Sequence, residues 1–353
     1  MKRNLQILLG LVIGIGLLWF LFRDTDWNTF WQAIWNADPL WLLVAQIPIW
    51  ASFILRVQRW HYIVRSTKPV RFGILFNATQ IGFLANFVLP LRAGELIRAL
   101  IVARRAQLPF TRGVAFVAMD RVADLFGLAA CMLITLAALQ IPGSILPAPG
   151  ALGSFTPGMV RSGTLVAFAV LVALVTALVL LYANRGLMLR INDRLVGLVS
   201  RKLAASTHTH LEQFAHGLSV LRSPGDMLKA IFWSMLVWGT FILSTAAFLK
   251  AFGVDFPWYT PFLIQVLVAV AVSIPGPPGF VGQFHVAFVA GILMTVSGAV
   301  PDEAKAIAIT AHLLNMLATV AVGIACLLLE QAGLLELTRQ SVQAQQTAEE
   351  QAE

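Results

Sequence analysis

The chain has 353 residues, of which 58% are apolar and 12% charged, with a formal net charge of +8 and a mean hydropathy of +0.80. Soluble domains carry about 25% charged residues, so a water-soluble globular protein is excluded. The basic excess then reads as Lys- and Arg-rich cytoplasmic loops rather than nucleic-acid binding. Cys131 and Cys326 both lie inside apolar runs, which argues against a disulfide framework.

In chain order, Leu5–Phe22 is nearly the 20 apolar residues a spanning helix needs. It follows Lys2 and Arg3, and no small-residue cleavage site comes after it, so it reads as an uncleaved first span. Trp27, Trp31 and Trp35 then recur at i, i+4 and i+8, one face of a helix at the outer interface. Leu40 to about Ile63 is the second span. Phe72–Leu91 is apolar but carries Asn77, Gln80, Asn86 and Pro90. Further spans are predicted over Val114–Leu139, Thr164–Tyr182, Ala230–Leu249 and Ala306–Leu329. Between 187 and 222 apolar residues return at helical spacing among basic ones, as in helices lying on an anionic leaflet or against the bundle. Pro257–Val300 is interrupted at its centre by Pro275-Gly276-Pro277-Pro278-Gly279.

Charge decides what the interrupted stretches do. If Phe72–Leu91 crossed completely, Arg92, Arg98, Arg104, Arg105 and Arg112 would face outward, against the positive-inside rule. If it dips in and returns, they join Arg56, Arg59, Arg65, Lys68 and Arg71 on the cytoplasmic side. The same parity makes Pro257–Val300 begin and end outside. The expected fold is therefore an all-α polytopic membrane protein with about six full transmembrane helices and two broken or re-entrant hairpins, one from each face. It forms a single membrane domain over 1–335, including an amphipathic segment 185–229, followed by a polar tail 336–353.

Three stretches can carry chemistry. In Asn86…Pro90-Leu-Arg92-Ala-Gly94-Glu95-Leu-Ile-Arg98 a helix breaks where an Asn, two Arg and a Glu converge. Freed backbone N–H groups and the positive end of a half-helix favour an anion, and Arg92 and Arg98 can bind phosphate bidentately. A cytoplasmic helix start with interfacial Arg anchors is the plainer reading. Second, Arg121 and Asp124 lie at i, i+3 near the start of an apolar helix, where an ionised residue needs a partner or a charged ligand. Third, Pro275 to Gly282 holds three prolines and three glycines in eight residues, which no helix can continue. Gly279, Gly282, Gln283 and His285 line this break, and His312 and Asn315, at i, i+3 in the last span, can face the same polar interior or pair between helices. His208, His210, Glu212 and His216 make at most a weak metal pattern. No Walker A loop or nucleophile elbow is present, and neither cofactor nor resident metal is expected.

Taken together, Arg59-Trp60, Asn86…Pro90-x-Arg92-x-Gly94-Glu95-x-x-Arg98, Arg121-x-x-Asp124 and Pro278-Gly279-x-x-Gly282-x-Phe284 resemble the lysylphosphatidylglycerol synthase transmembrane-domain family of flippase-like membrane proteins. The resemblance runs from about residue 5 to 330. It implies lipid or lipid-linked precursor translocation. The family pattern commonly ends in a Glu where this chain has His285, which points away from a lysylated, cationic lipid. Only Glu330 to Glu353 follow the last span, so the transferase activity in the family name is not expected.

The expected function is flipping of an anionic phospholipid or lipid-linked precursor. Arg92, Arg98 and Arg121 would neutralise its phosphate, with Glu95 and Asp124 holding the arginines and Gln283 and His285 gating from the other side. A transferase acting on a lipid-linked substrate and a non-catalytic partner subunit are the alternatives. The expected setting is the bacterial plasma membrane with both termini cytoplasmic. Expected partners are a lipid with a phosphate-bearing headgroup and either a second copy of the chain or a lipid-modifying enzyme, not nucleic acid.

Overall fold

The computed structural model describes residues 14–89, 93–138, 157–184, 223–274 and 277–350, with scattered positions elsewhere and, in the last helix, side chains as far as Gln331. Every regular element among them is helical. Residues 14–22 form α1. It is followed by α2 (Trp27–Asn36), α3 (Pro39–Arg65), α4 (Phe72–Val88), α5 (Gly94–Ala106), α6 (Phe110–Ala138), α7 (Pro157–Ala183), α8 (Pro224–Ala251), α9 (Thr260–Ser273), a 3₁₀ turn (Pro278–Phe280), α10 (Gln283–Thr295) and α11 (Pro301–Glu350). The segment Pro278–Thr295 together with α3, α6, α8 and the Pro301–Gln331 part of α11 is long and apolar enough to cross a membrane. The predicted first span is described only from residue 14. The span Thr164–Tyr182 falls within α7. Pro90, Arg92, Pro275, Gly276, His210, Glu212 and His216 lie outside the described residues, as does most of 187–222.

Local chemistry sets the helix starts. Asp38 caps α3, its carboxylate accepting from Leu40 N–H with Pro39 at the first position, where a missing N–H costs nothing. Asp26 caps α2 in the same way, accepting from Asn28 N–H and the Thr29 hydroxyl. The predicted tryptophan face of α2 is exposed at Trp27, Trp31 and Trp35, while Phe30 is buried against the body.

Both interrupted stretches are helical hairpins. In the first, the α4 backbone at Gly82 approaches Gly94 so closely that a Cβ on Gly94 would sit 1.8 Å from the Gly82 carbonyl oxygen, so only glycine fits. The returning helix is fastened at its far end, where Lys68 Nζ donates to the Ala106 carbonyl. In the second, α9 and α10 run antiparallel, with Ile264 near the start of one against Gly291 near the end of the other. α5 and α10 each have 13 residues, about 20 Å of helix against a hydrocarbon core of about 30 Å. The two tips meet: Phe87 and Phe280 pack edge to face, ring centroids 6.4 Å apart.

The long helices repeat one arrangement in opposite orientation. Arg65 contacts Asp226, Arg59 contacts Ser234, and Asp38 N–H donates to the Ala251 carbonyl, so α3 and α8 are antiparallel. Asp124 and Gly127 of α6 face Trp238 of α8, while Arg59 spans Asp120 and Ser234, so α6 and α8 run together. Gln46 with Asn315, and Ile49 and Phe53 with Ala318, align α11 with α3. The succession long helix, hairpin, long helix thus occurs as α3–α6 and again, inverted, as α8–α11. Each half has its own apolar core: Val57, Trp60, Leu75, Val102 and Phe116 in one, Phe248, Ile264, Phe288 and Ile307 in the other. Inverted repeats of this kind place binding sites at the repeat interface in transporters.

Candidate functional site

Between the two halves lies a cavity of about 390 Å³ lined by α3, α4, α5, α6, α8, α9, α10, α11 and the Phe280 turn. One end is charged, with Arg56, Arg59, Glu95, Arg121 and Asp124, and Asn86 beside them. The other end is apolar with a few neutral polar groups. There Phe53, Phe248, Phe288 and Val268 surround Ser244, Thr245 and Gln265, and the Gln265 amide donates to the Thr245 hydroxyl at 2.6 Å. The charged end is deep along the helices. Asp124 is the midpoint of the 29-residue α6, and Asp120 begins about 15 Å from its first residue at 1.5 Å per residue.

Helical spacing builds the charged end. Asp120 and Asp124, at i, i+4, both point at Arg59 of α3, whose Nε and Nη1 donate at 2.8 and 2.7 Å. Asp120 also accepts from Arg98 of α5 at 2.8 Å. Arg121 donates to Asp124 at 3.2 Å and lies 3.0 Å from Glu95, which also stands 3.5 Å from Arg98. Ser234 and the Trp238 indole of α8 complete the shell, one against Arg59 and the other donating to Asp124 at 3.2 Å. The Arg98 guanidinium lies over the Trp60 ring at 4.3 Å. Asp120 is 1% exposed and Arg59 and Arg98 2% each. Charges so enclosed persist only because each is paired.

Five of the sequence-predicted residues therefore line the cavity: Asn86, Glu95, Arg121, Asp124 and Asn315. Arg98 stands behind the wall, committed to Asp120, and Arg92 lies outside the described residues. The start of α5, expected as an open anion site, already has an occupant. Asn86 Oδ1 accepts from Gly94 N–H at 2.9 Å, and Glu95 supplies a carboxylate in the first turn.

The third stretch forms a separate buried cluster. Gly279 and Gly282 adopt φ of +68° and +87°, which glycine tolerates and which turn the chain from the 3₁₀ turn into α10. His285 Nδ1 accepts from Gly282 N–H at 3.1 Å, so its Nε2 carries the proton and donates to His312 Nδ1 at 3.0 Å. Phe284 stacks on His312 at 4.7 Å with its ring almost parallel. Gln283 donates to the Ile274 carbonyl, closing the break. These groups hold the hairpin tip, and it is Phe280, Phe284 and Phe288 that reach the cavity. His208 of the weak metal pattern pairs with Asp193 at 2.9 Å.

The charge count assigns Arg56 and Arg59 to the cytoplasmic side of the second span, and neither is among the residues expected to bind the ligand. The structure puts both in the cavity wall, because α3 continues to Arg65 and carries Arg59 six and Arg56 nine residues inside its end. The signal was present: Ser52, Arg56 and Arg59 recur at helical spacing on one face of an otherwise apolar helix.

Fold and site together define a polytopic all-α membrane protein with a cavity, charged at one end, between two inverted helical hairpin units. A family model for the lysylphosphatidylglycerol synthase transmembrane region matches residues 7–323, and the chain belongs to that family. A curated relative, named glycosyltransferase AglD, from Haloferax volcanii, is 25% identical over 97% of this chain and 57% of its own length. The chain thus spans little more than half of that relative. No solved structure matches it.

Proposed function

We propose that the protein moves a lipid with an anionic, phosphate-bearing headgroup between leaflets. The headgroup crosses through the cavity while the hydrocarbon chains stay in the membrane. The observation that carries this reading is an ion-paired arginine cluster at mid-helix depth, bounded by the meeting tips of two hairpins that come from opposite ends of the bundle. Inside the membrane such charge is costly and marks a polar pathway. Each arginine except Arg56 is held by carboxylates, so the cluster is preorganised without being a trap that an anion cannot leave. The setting is a bacterial plasma membrane, with the ends of α3 and α5 that carry Arg65, Arg104 and Arg105 on the cytoplasmic side.

The test is reconstitution into liposomes carrying headgroup-labelled phosphatidylglycerol, with outer-leaflet label quenched chemically. Protein-dependent loss of the protected inner pool is expected, and a rate equal to that of protein-free liposomes overturns the reading. The name of the Haloferax relative supports a second reading, sugar transfer onto a lipid carrier. Formation of glycosylated lipid by the purified chain from a polyprenyl phosphate and a labelled nucleotide sugar is the outcome that would establish it.

A further inference from the structure

Arg56 differs from its neighbours. Arg59, Arg98 and Arg121 each lie within 3.2 Å of at least one carboxylate oxygen. Arg56 has no carboxylate within ion-pair distance among the described residues. Its guanidinium is instead clasped between two aromatic faces, Phe83 of the first half and Phe241 of the second, each 4.7 Å from the guanidinium carbon to the ring centroid. Cation–π contacts hold a cation in place without neutralising it, and they leave the guanidinium edge, with its fixed fork of N–H donors, free for an oxyanion.

Formal charge sharpens this. Among the described residues of the cavity and the shell behind it, the four arginines 56, 59, 98 and 121 meet three carboxylates, Glu95, Asp120 and Asp124. The described groups therefore carry one unmatched positive charge, located on Arg56, in a place of low dielectric where an unmatched charge is costly. A ligand with one negative charge cancels it. A net-neutral headgroup leaves it standing, and a doubly charged one replaces it with an unmatched negative charge.

We propose that Arg56 is the ligand-binding cation of the cavity and that the cavity selects a lipid whose headgroup carries a single net negative charge, a phosphodiester. This rests on the reading of the cavity as a lipid site. The apolar end beside it, with Phe53, Phe248 and Phe288, takes the start of the chains, so the ligand is a lipid rather than free phosphate.

The experiment titrates purified protein with dioctanoyl phosphatidylglycerol and with dioctanoyl phosphatidylcholine by native mass spectrometry. Wild type is expected to bind the anionic lipid at least tenfold more tightly than the zwitterionic one. Arg56→Gln is expected to lose that preference, and its folding should survive because no carboxylate is left unpaired. Arg56→Lys keeps the charge and is expected to keep the preference. Glycerophosphoglycerol, the same headgroup without chains, is expected not to displace the lipid at millimolar concentration. Unchanged preference in Arg56→Gln, lost preference in Arg56→Lys, or full displacement by the chainless headgroup would each overturn the proposal. Liposomes separate the two claims: preference intact without any lipid movement counts against translocation alone. Movement with Arg56→Gln binding like wild type counts against Arg56 alone.

Discussion

Asp120 is 1% exposed and holds two arginines from two other helices, Arg59 of α3 and Arg98 of α5. Removing its charge leaves both guanidinium groups buried with fewer partners, and breaking a buried pair in this way costs about 3–5 kcal/mol. Asp120→Asn is therefore expected to lower the melting temperature of the detergent-purified protein by many degrees, read by tryptophan emission. An exposed control such as Arg104→Gln should leave it unchanged; equal melting of Asp120→Asn and wild type would mean the cluster is not structural. The motif around Arg121 and Asp124 was legible in the sequence as an i, i+3 pair. What Asp120 does was not, since its partner Arg59 is 61 positions away and only the packing of α3 on α6 brings them together. Arg56 was missed for a related reason: counting charges by topology assigns a residue to a side of the membrane, not to a helix face.

At the scale of elements, composition revealed where helices stop better than what the stops do. Pro275 to Gly282 could only be a break, and the structure has one there, between α9 and α10. That His285 and His312 would bond to one another and the Gln283 amide would donate to the Ile274 carbonyl, rather than any of the three lining the cavity, depends on how α10 meets its neighbours, which one sequence does not encode locally. The tryptophan face of α2 was plain from spacing alone. α2 is fixed to α11 by Asp26 N–H donating to Asp302 at 3.2 Å and by Lys305 bridging Asp302 and Thr25. The Asp26 carboxyl is held below its ordinary value of 3.8, first by the Thr29 hydroxyl and then by Asn28 N–H. A carboxylate whose value is lowered on folding contributes stability above its unfolded value, and the contribution is lost as pH falls through the lowered one. Acid below about pH 4 is expected to loosen α2 first, seen as a shift in emission from Trp27, Trp31 and Trp35. Asp26→Asn should remove that transition, and its persistence would assign the change elsewhere.

At the scale of the whole molecule, the alternation of full spans and hairpins followed from length and the positive-inside rule. The inverted repetition did not, because the two halves share an order of elements rather than a visible sequence motif. The proposed orientation rests on the same charges. With Cys131 and Cys326 replaced by alanine, a cysteine at Ser297 should react with an impermeant thiol reagent in intact cells and one at Arg104 should not; the reverse pattern would invert the topology. The central claim is that a headgroup passes between the two hairpin tips, where Phe87 and Phe280 meet. The direct measurement uses the same cysteine-free background with Phe87→Cys and Phe280→Cys, reconstituted and joined by a short bis-methanethiosulfonate linker, which forms a reducible disulfide to each cysteine by displacing methanesulfinate. Movement of labelled phosphatidylglycerol is expected to stop when the tips are joined and to return on reduction. Translocation at the same rate with the tips joined and released would contradict the account.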